Sequence, residues 1–569
     1  MLRSFASIVL FVFLVLQVVA QNALFIPPML EGTDFDLQVQ SGTTQFFSGI
    51  NTPTYGVNGN ILAPTLSVNK GDVVTFNVTN NLTTSTTMHW HGLHVPAMDD
   101  GGPHQIIEEE TTWSPQFEIK NKAGTFWYHP HGEHKTDLQV SKGLAGLILV
   151  RDAEEEALAL PRTYGVDDFP LILQTKSFDI LHQIQIASQS DTTVMVNATI
   201  NAMLDLPAQV VRFRLLNGSS NRTFFVGFSN DMTFHQIATD GGLKESPYET
   251  NRLRLSPGER SEILINLSDL EGDSFSLISY GSELPTGIIG AAIVGDGSAE
   301  IPEYSDNPLN GLDFTLLQLT VISPTPDPVT TIPSSLVDIT PWSIGDIDVE
   351  RTIALTPQME GPEILVEGPF GIDGVQFNMD LVNNICQLND IERWTITNQT
   401  LVAHPFHIHD VQFYITDMNG EGPPPDQQGW KDVVLVMPMQ SVSFITKFET
   451  FADPVVPYMY HCHLLHHEDE GMMGSFIVVD PNSVPDLVTN NIRLSPNPVS
   501  GDRTMSVSSA DEPLTFISIR DLAGHVIKSW SLQNQQKNFQ LSVSDVSAGM
   551  YIVEMSTAHG VFIQKIIIQ

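Results

Sequence analysis

The chain has 569 residues, roughly four times a common domain length of about 150, which points to three to five domains and excludes one small module. Its 26 Lys and Arg against 66 Asp and Glu leave a formal charge of −40, which repels phosphate backbones and excludes nucleic acid as a partner. With 41% hydrophobic and 16% charged residues the chain has ample core material, and its two cysteines are too few for a disulfide framework.

Residues 1–20 carry Arg3 and then an apolar run from Ile8 to Ala20, so a signal peptide cut near Ala20 is expected. A membrane anchor is the competing reading, but the run is short for a span, and no later segment is apolar enough to cross a bilayer. Residues 21–155 hold short β-branched runs bounded by Gly, Asn or Pro, such as Val73-Val74-Thr75-Phe76-Asn77-Val78, which predict strands. After a connector containing Glu154-Glu155-Glu156 and Pro161, a second strand-rich block spans 165–300. Residues 301–343 contain Pro302, Pro308, Pro324, Pro326, Pro328 and Pro333 and read as an inter-domain linker. A third block covers 344–482, and a last segment, 490–569, opens with Leu494-Ser495-Pro496-Asn497-Pro498. Helical periodicity is sustained nowhere for long. The expected fold class is therefore all-β, as three sandwich domains and a small C-terminal one.

Histidine is the telling residue. Ten of the eighteen fall in four clusters: His89-Trp90-His91-Gly92, His129-Pro130-His131, His404-Pro405-Phe406-His407-Ile408-His409, and His461-Cys462-His463, the last followed by His467 and Met472. Side chains alternate faces along a strand, so each His-X-His pair presents two imidazoles to one side. In His461-Cys462-His463 the same alternation turns the thiol away from both rings, and one tripeptide can serve two metal sites. Cys462 with two imidazoles and a weak thioether is the donor set of a blue-copper centre, to which His404, His467 and Met472 would contribute. His89, His91, His129, His131, His407, His409, His461 and His463 remain, enough for three ions with open positions for a small ligand. Ordinary histidines or a zinc site are the competing explanations, but zinc takes four donors, not twelve in two chemically distinct sets.

These motifs, in this order, resemble the multicopper oxidase family over about Asn22 to Asp480. The resemblance implies cupredoxin-like Greek-key sandwiches for the three blocks and four copper ions as cofactors. The type 1 ion would lie at His404, Cys462, His467 and axial Met472, and the type 2 ion at His89 and His407. His91, His129, His131, His409, His461 and His463 would hold the type 3 pair. The second block resembles the copper-free middle domain, with Arg214-Leu215-Leu216-Asn217-Gly218 and Leu255-Ser256-Pro257-Gly258-Glu259-Arg260 as landmarks, and His182 and His235 there read as structural. Electrons from a donor are expected to enter at an exposed imidazole edge of His404 or His467, pass from Cys462 to His461 and His463, and reduce O2 to water. Asp100, just before Gly101-Gly102-Pro103, and Glu468 match family acids that assist proton delivery.

The last segment resembles the C-terminal sorting domain of the type IX secretion system. It does so at Ser495-Pro496-Asn497-Pro498, Asp521-Leu522-Ala523-Gly524, Gly549-Met550-Tyr551 and its basic-apolar end. That implies the type IX machinery as a partner and a secreted or cell-surface location; a small carbohydrate- or partner-binding sandwich is the alternative.

Gly429-Trp430-Lys431-Asp432 and the run from His461 to Met473 most resemble bacterial copper-efflux oxidases and laccases. Two departures bear on the donor. Between Gln358 and His404 only Met359 and Met379 occur, where copper-efflux oxidases often carry a Met-rich segment, and Thr400 stands where that subfamily has an acid. Both favour an open, laccase-like site for phenols or aromatic amines over a metallo-oxidase acting on Cu(I), Mn(II) or Fe(II). The −40 charge, which concentrates cations, is the argument for the latter. A copper-free scaffold of the same fold is disfavoured because all twelve donor positions are filled. Cys386, outside every motif, is expected to be a buried free thiol.

Overall fold

The computed structural model describes residues 21–186, 190–298, 301–358 and 368–481, and 492–568 apart from residues 498, 500, 502, 510–512, 522–523, 533–536 and 558–559. The expected signal peptide, 1–20, lies outside the described residues. Among them no helix exceeds six residues, and none is long and apolar enough to cross a membrane. Strands build four two-sheet units.

In the first unit, one sheet runs Met29–Glu31, Thr65–Asn69, Gly146–Arg151, Gly124–Tyr128, and the facing one Ile50–Val57, Asp34–Phe47, Val73–Asn81. Strand Val73–Asn81 shows why the sequence folds this way: Val74, Phe76, Val78 and Asn80 point inward and their neighbours outward, the period-two pattern of a half-buried strand. The same alternation sends Trp90 into this core, where its ring lies 4.2 Å from Phe76, while His89 and His91 leave on the other side. The third unit repeats the scheme. Strand Ile391–Asn398 alternates along its whole length, and Trp394, Phe406, Phe444, Tyr460 and Phe476 share its core with Cys386 and Cys462, both free and buried.

The linker expected over 301–343 is shorter than its prolines suggest. Asp313–Ile322 is a ten-residue strand, parallel to Ala202–Pro207 and antiparallel to Ser274–Tyr280, that buries Leu316, Leu317, Leu319 and Val321 in the middle sandwich. The flanking prolines masked its apolar alternation. Pro302 opens a one-turn helix, Pro302–Ser305, at a position where a missing N–H is harmless. The stretch beyond Ile322 is free of strand until Val349, and it packs Val329, Ile332, Leu336 and Val337 on the middle unit.

The first and middle units meet at a buried ionic network. Arg214 donates to Asp168 at 2.7 and 2.9 Å and to Glu262 at 2.8 Å; Arg212 donates to Glu262 and Glu155 at 2.8 and 2.7 Å. Thr125 of the first unit closes the network, donating to Glu262 and accepting from Arg214. The four principal ion pairs are at most 1% exposed, so no solvent replaces a lost partner. Glu262→Gln leaves two guanidiniums short of one charge and is expected to lower the unfolding free energy by about 3–5 kcal/mol. A denaturant midpoint equal to that of the wild type contradicts this.

Candidate metal centre

Two paired strands carry four of the donors, His404, His407, His461 and Cys462. His404–Ile408 pairs with Asp453–Cys462 in the register Phe406↔Cys462 and His407↔His461. His404 and His407 are three apart and so leave opposite faces of their strand. His404 joins Cys462 on one face, and His407 joins His461 on the other. His89 and His129 face each other across an isolated bridge with reciprocal backbone bonds of 2.8 and 3.1 Å. His91 follows in a turn at Gly92, whose φ of +85° suits glycine.

The side chains gather into groups whose donor atoms all lie within 4.8 Å of one another: His404 with Cys462 and His467; His91 with His129 and His463; His131 with His409 and His461; and His89 with His407 and His409. All these residues are buried. In the thiol group, Cys462 Sγ is 3.4 Å from His404 Nδ1 and 3.8 Å from His467 Nδ1. Met472 is buried beside them, and its carbonyl accepts the Cys462 N–H at 3.0 Å.

The outer nitrogens fix the inner ones. His89 Nδ1 donates to the Asp100 carbonyl at 2.9 Å and His407 Nδ1 to the Asp432 carbonyl at 2.8 Å, which leaves each Nε2 lone pair facing inward without a hydrogen-bond partner. His129 Nδ1 donates to the Pro130 carbonyl and His461 Nδ1 to the Cys462 carbonyl. Burial pushes His131, His404 and His463 down to about 3, and holds His91, His129, His407, His409 and His467 well below the usual imidazole range. These rings are therefore neutral, the form that ligates a metal. Burial pushes the Cys462 thiol up, so its thiolate forms here only against a cation. The orphaned Nε2 atoms, the neutral rings and the mixed thiol-imidazole group fit soft and borderline ions, copper above all.

Both sequence-predicted acids are in place. Asp100 Oδ2 accepts from His409 Nδ1 at 2.8 Å, so this one residue holds rings of two groups. A Cβ on Gly101 would lie 1.7 Å from the Met88 carbonyl oxygen, so only glycine permits this turn. Glu468, on the short helix Leu465–Asp469, sits 3.2 Å from His461 Nδ1 and 3.6 Å from His131 Nδ1. Burial alone would push its carboxyl up, but the facing His131 and His461 rings, the latter by a hydrogen bond, outweigh this and hold it below the usual carboxylate range.

One expectation fails. The imidazole edges of the thiol group are closed: His404 is 0% and His467 2% exposed. Thr400 Oγ1 lies 2.8 Å from His404 Nε2, Tyr304 OH 3.0 Å from His467 Nε2, and the Phe370 ring 5.0 and 4.8 Å from the two imidazoles. Tyr304 belongs to the segment expected to be a linker, where no local motif marks it as a contact of His467. Asp432 was visible only as part of the Gly-Trp-Lys-Asp landmark, yet it contacts both His91 and His407. His182 and His235 lie outside every donor group.

Fold and donor sets together define a cupredoxin-class copper protein. Multicopper oxidase family models match residues 38–155 and 350–482, and a secretion system C-terminal sorting domain model matches 493–569. Multicopper oxidase mco of Staphylococcus haemolyticus is 34% identical over 79% of this chain and 89% of its own length. Cell division protein FtsP of Sodalis glossinidius is 34% identical over 81% and 93%. Among solved structures, the laccase-like multicopper oxidase CueO from Ochrobactrum sp., with oxidase activity towards lignin model compounds and lignosulfonate, superposes with a TM-score of 0.70. It is 30% identical and covers 80% of this chain and 100% of its own. The chain belongs to the multicopper oxidase family and carries a secretion sorting domain at its C-terminus. Cys462→Ser removes the one thiolate among the donor groups; copper content per chain is expected to fall by one ion with loss of the intense visible absorption. Retention of that absorption contradicts the assignment.

Proposed function

We propose that the protein couples one-electron oxidation of phenolic or aromatic-amine donors to four-electron reduction of O2 to water, with four bound copper ions. The observation that carries this is the division of buried donors into one thiol-containing group and eight imidazoles in adjoining groups, joined through a single tripeptide. In this reading His404, Cys462 and His467 would hold the type 1 ion with Met472 as a weak thioether donor, and His89 and His407 would hold the type 2 ion. The triads His91–His129–His463 and His131–His409–His461 hold the type 3 pair. Copper in such sets supplies reversible single-electron transfer at the thiolate and O2 reduction at the imidazoles.

The chain's own residues supply the rest. Cys462 is bonded through its backbone to His461 and His463, so the thiolate is one residue away from either triad. Water formation consumes four protons per O2, and Asp100 and Glu468 are the acids assigned to hold and pass them. Glu468 lines a cavity of about 160 Å3 shared with the exposed Glu133 and His134, which gives it a route to solvent. The sorting domain supports export through the type IX machinery to the medium or the cell surface.

The laccase-like donor class rests on Thr400 in place of an acid, on the sparse methionines, and on the lignin-model activity of the Ochrobactrum relative. The closed imidazole edges and the −40 charge favour a second reading, in which small cations, Cu(I), Mn(II) or Fe(II), are the donors. Similarity to FtsP carries a scaffold reading, against which the donor positions are complete.

Turnover of a phenolic dye and of Cu(I), measured side by side at buffered free copper, is expected to be faster for the dye, with one O2 consumed per four electrons. Faster Cu(I) turnover selects the second reading, and a wild-type protein that binds no copper selects the scaffold. Asp100→Asn is expected to slow O2 reduction ~100–10,000-fold with the visible absorption intact; unchanged turnover at full copper occupancy removes Asp100 from the mechanism. Met472→Leu withdraws a thioether that stabilises the oxidised ion, so a redox titration is expected to give a higher type 1 potential. A measured fall removes the axial role.

A further inference from the structure

The middle sandwich supplies no atom to the donor groups, yet it touches them. In the loop from Ser256 to Arg260, Gly258 at φ +84° lies against His463 so closely that a Cβ there would sit 2.9 Å from ring carbons. Two residues on, the buried Arg260 reaches all three copper-type sandwiches at once. Its Nε donates to the Thr125 carbonyl of the first unit at 3.2 Å, and Nη1 and Nη2 donate to the Gly258 and Asp240 carbonyls of its own unit at 3.2 and 2.9 Å. Both Nη atoms also grip the Asp432 carboxylate of the third unit at 2.6 Å, a bidentate pair of fixed plane.

Asp432 passes this geometry to the rings. Its Oδ1 accepts from His91 Nε2 at 3.1 Å, and its carbonyl accepts from His407 Nδ1 at 2.8 Å. A proton on His91 Nε2 leaves its Nδ1 lone pair toward His129, 3.4 Å away. His91 thus faces its group through Nδ1, the opposite nitrogen from His89 and His407. The packing is tight on this side: a Cβ on Gly92 would lie 2.4 Å from Asp432 Oδ2 and 2.7 Å from Arg260 Nη2.

We propose that Arg260 is a positioning residue for the imidazole cluster. Its bidentate grip holds Asp432 so that His91 is kept as the Nε2–H tautomer with its Nδ1 lone pair free, and His407 is kept in orientation, and through it the middle domain governs occupancy of the type 2 and type 3 sites. This rests on the copper reading above. Partners that orient metal-bound histidines typically contribute ~10–100-fold in metal affinity.

Arg260→Lys keeps a charge but not the fork, and Asp432→Asn breaks the same pair from the other side if the first variant fails to fold. Copper titration with EPR and near-ultraviolet absorption is expected to show type 2 and type 3 copper bound ~10–100-fold more weakly, with type 1 visible absorption per chain at the wild-type level. Glu262→Gln weakens a domain contact that touches no donor histidine and is expected to keep all four ions. Two results overturn the proposal: four ions at wild-type affinity with an unaltered type 2 signal in Arg260→Lys, or equal loss of cluster copper in Glu262→Gln, which reduces Arg260 to domain docking. A wild-type protein that binds no copper sinks the functional reading itself, and is seen before any variant is made.

Discussion

The whole arrangement hangs on where one strand ends. In Asp453–Cys462 the side chains of Tyr458, Tyr460 and Cys462 enter the core of the third sandwich, while His461 leaves on the opposite face toward the first. A slip of one residue would exchange the two faces, send the sulfur toward the imidazoles and bury His461 in the core. Several contacts forbid the slip. Phe406 pairs with Cys462 and Met473 with His461; Tyr458 OH donates to the Val95 carbonyl at 2.7 Å; and Asn384 donates to Tyr460 OH at 2.8 Å. An aromatic core around Trp394 and Phe476 therefore sets the register of a metal centre to which none of its aromatic residues contributes a donor.

Desolvation does the second part of the work. Ten histidines taken out of water could be a liability, because a charged imidazole without a partner is costly to bury. Here burial holds His91, His129, His131, His404, His407, His409, His463 and His467 below the usual imidazole range, and backbone carbonyls take the outer N–H of His89, His129, His407 and His461. Each such bond turns the ring and selects its tautomer, so the inward lone pairs are arranged before any ion arrives. The same low-dielectric surroundings disfavour the Cys462 thiolate, which couples the ionisation of the sulfur to the arrival of a cation.

The donor set was legible because its chemistry and its spacing coincide: period-two alternation converts His-X-His into a pair on one face, and all four clusters contain such a pair. The all-β class followed from equally local patterns, such as Val73–Asn81. Contacts between units far apart in sequence were not legible. Nothing local marks Tyr304 as the residue against His467, 163 positions away, or Arg260 as the partner of Asp432, 172 positions away. The strand Asp313–Ile322 was missed for a different reason, since proline-rich flanks outweighed its hydrophobic alternation. An exposed imidazole edge was expected from the family's general behaviour, and only the packing of Thr400, Tyr304 and Phe370 revealed that it is closed.

The distribution of charge follows from the same junctions. Arg212, Arg214, Arg260 and Lys431 are all buried, each against carboxylates: Glu155, Glu262 and Asp168 for the first two, Asp432 for Arg260, and Asp240 and Glu259 for Lys431 at 2.8 and 3.0 Å. Four of the 26 basic residues are thus committed to buried carboxylates at these junctions, in a chain where acids number 66. The copper-free middle unit is where these two facts join. It brings Arg260 to the imidazole cluster, and the tail of the same unit brings Tyr304 to the thiol group, so both donor regions of the outer sandwiches are braced by a domain that contributes no donor of its own. A domain so placed cannot move relative to its neighbours without disturbing both ends of the path between Cys462 and the imidazoles, which is a physical reason for its retention that does not depend on copper.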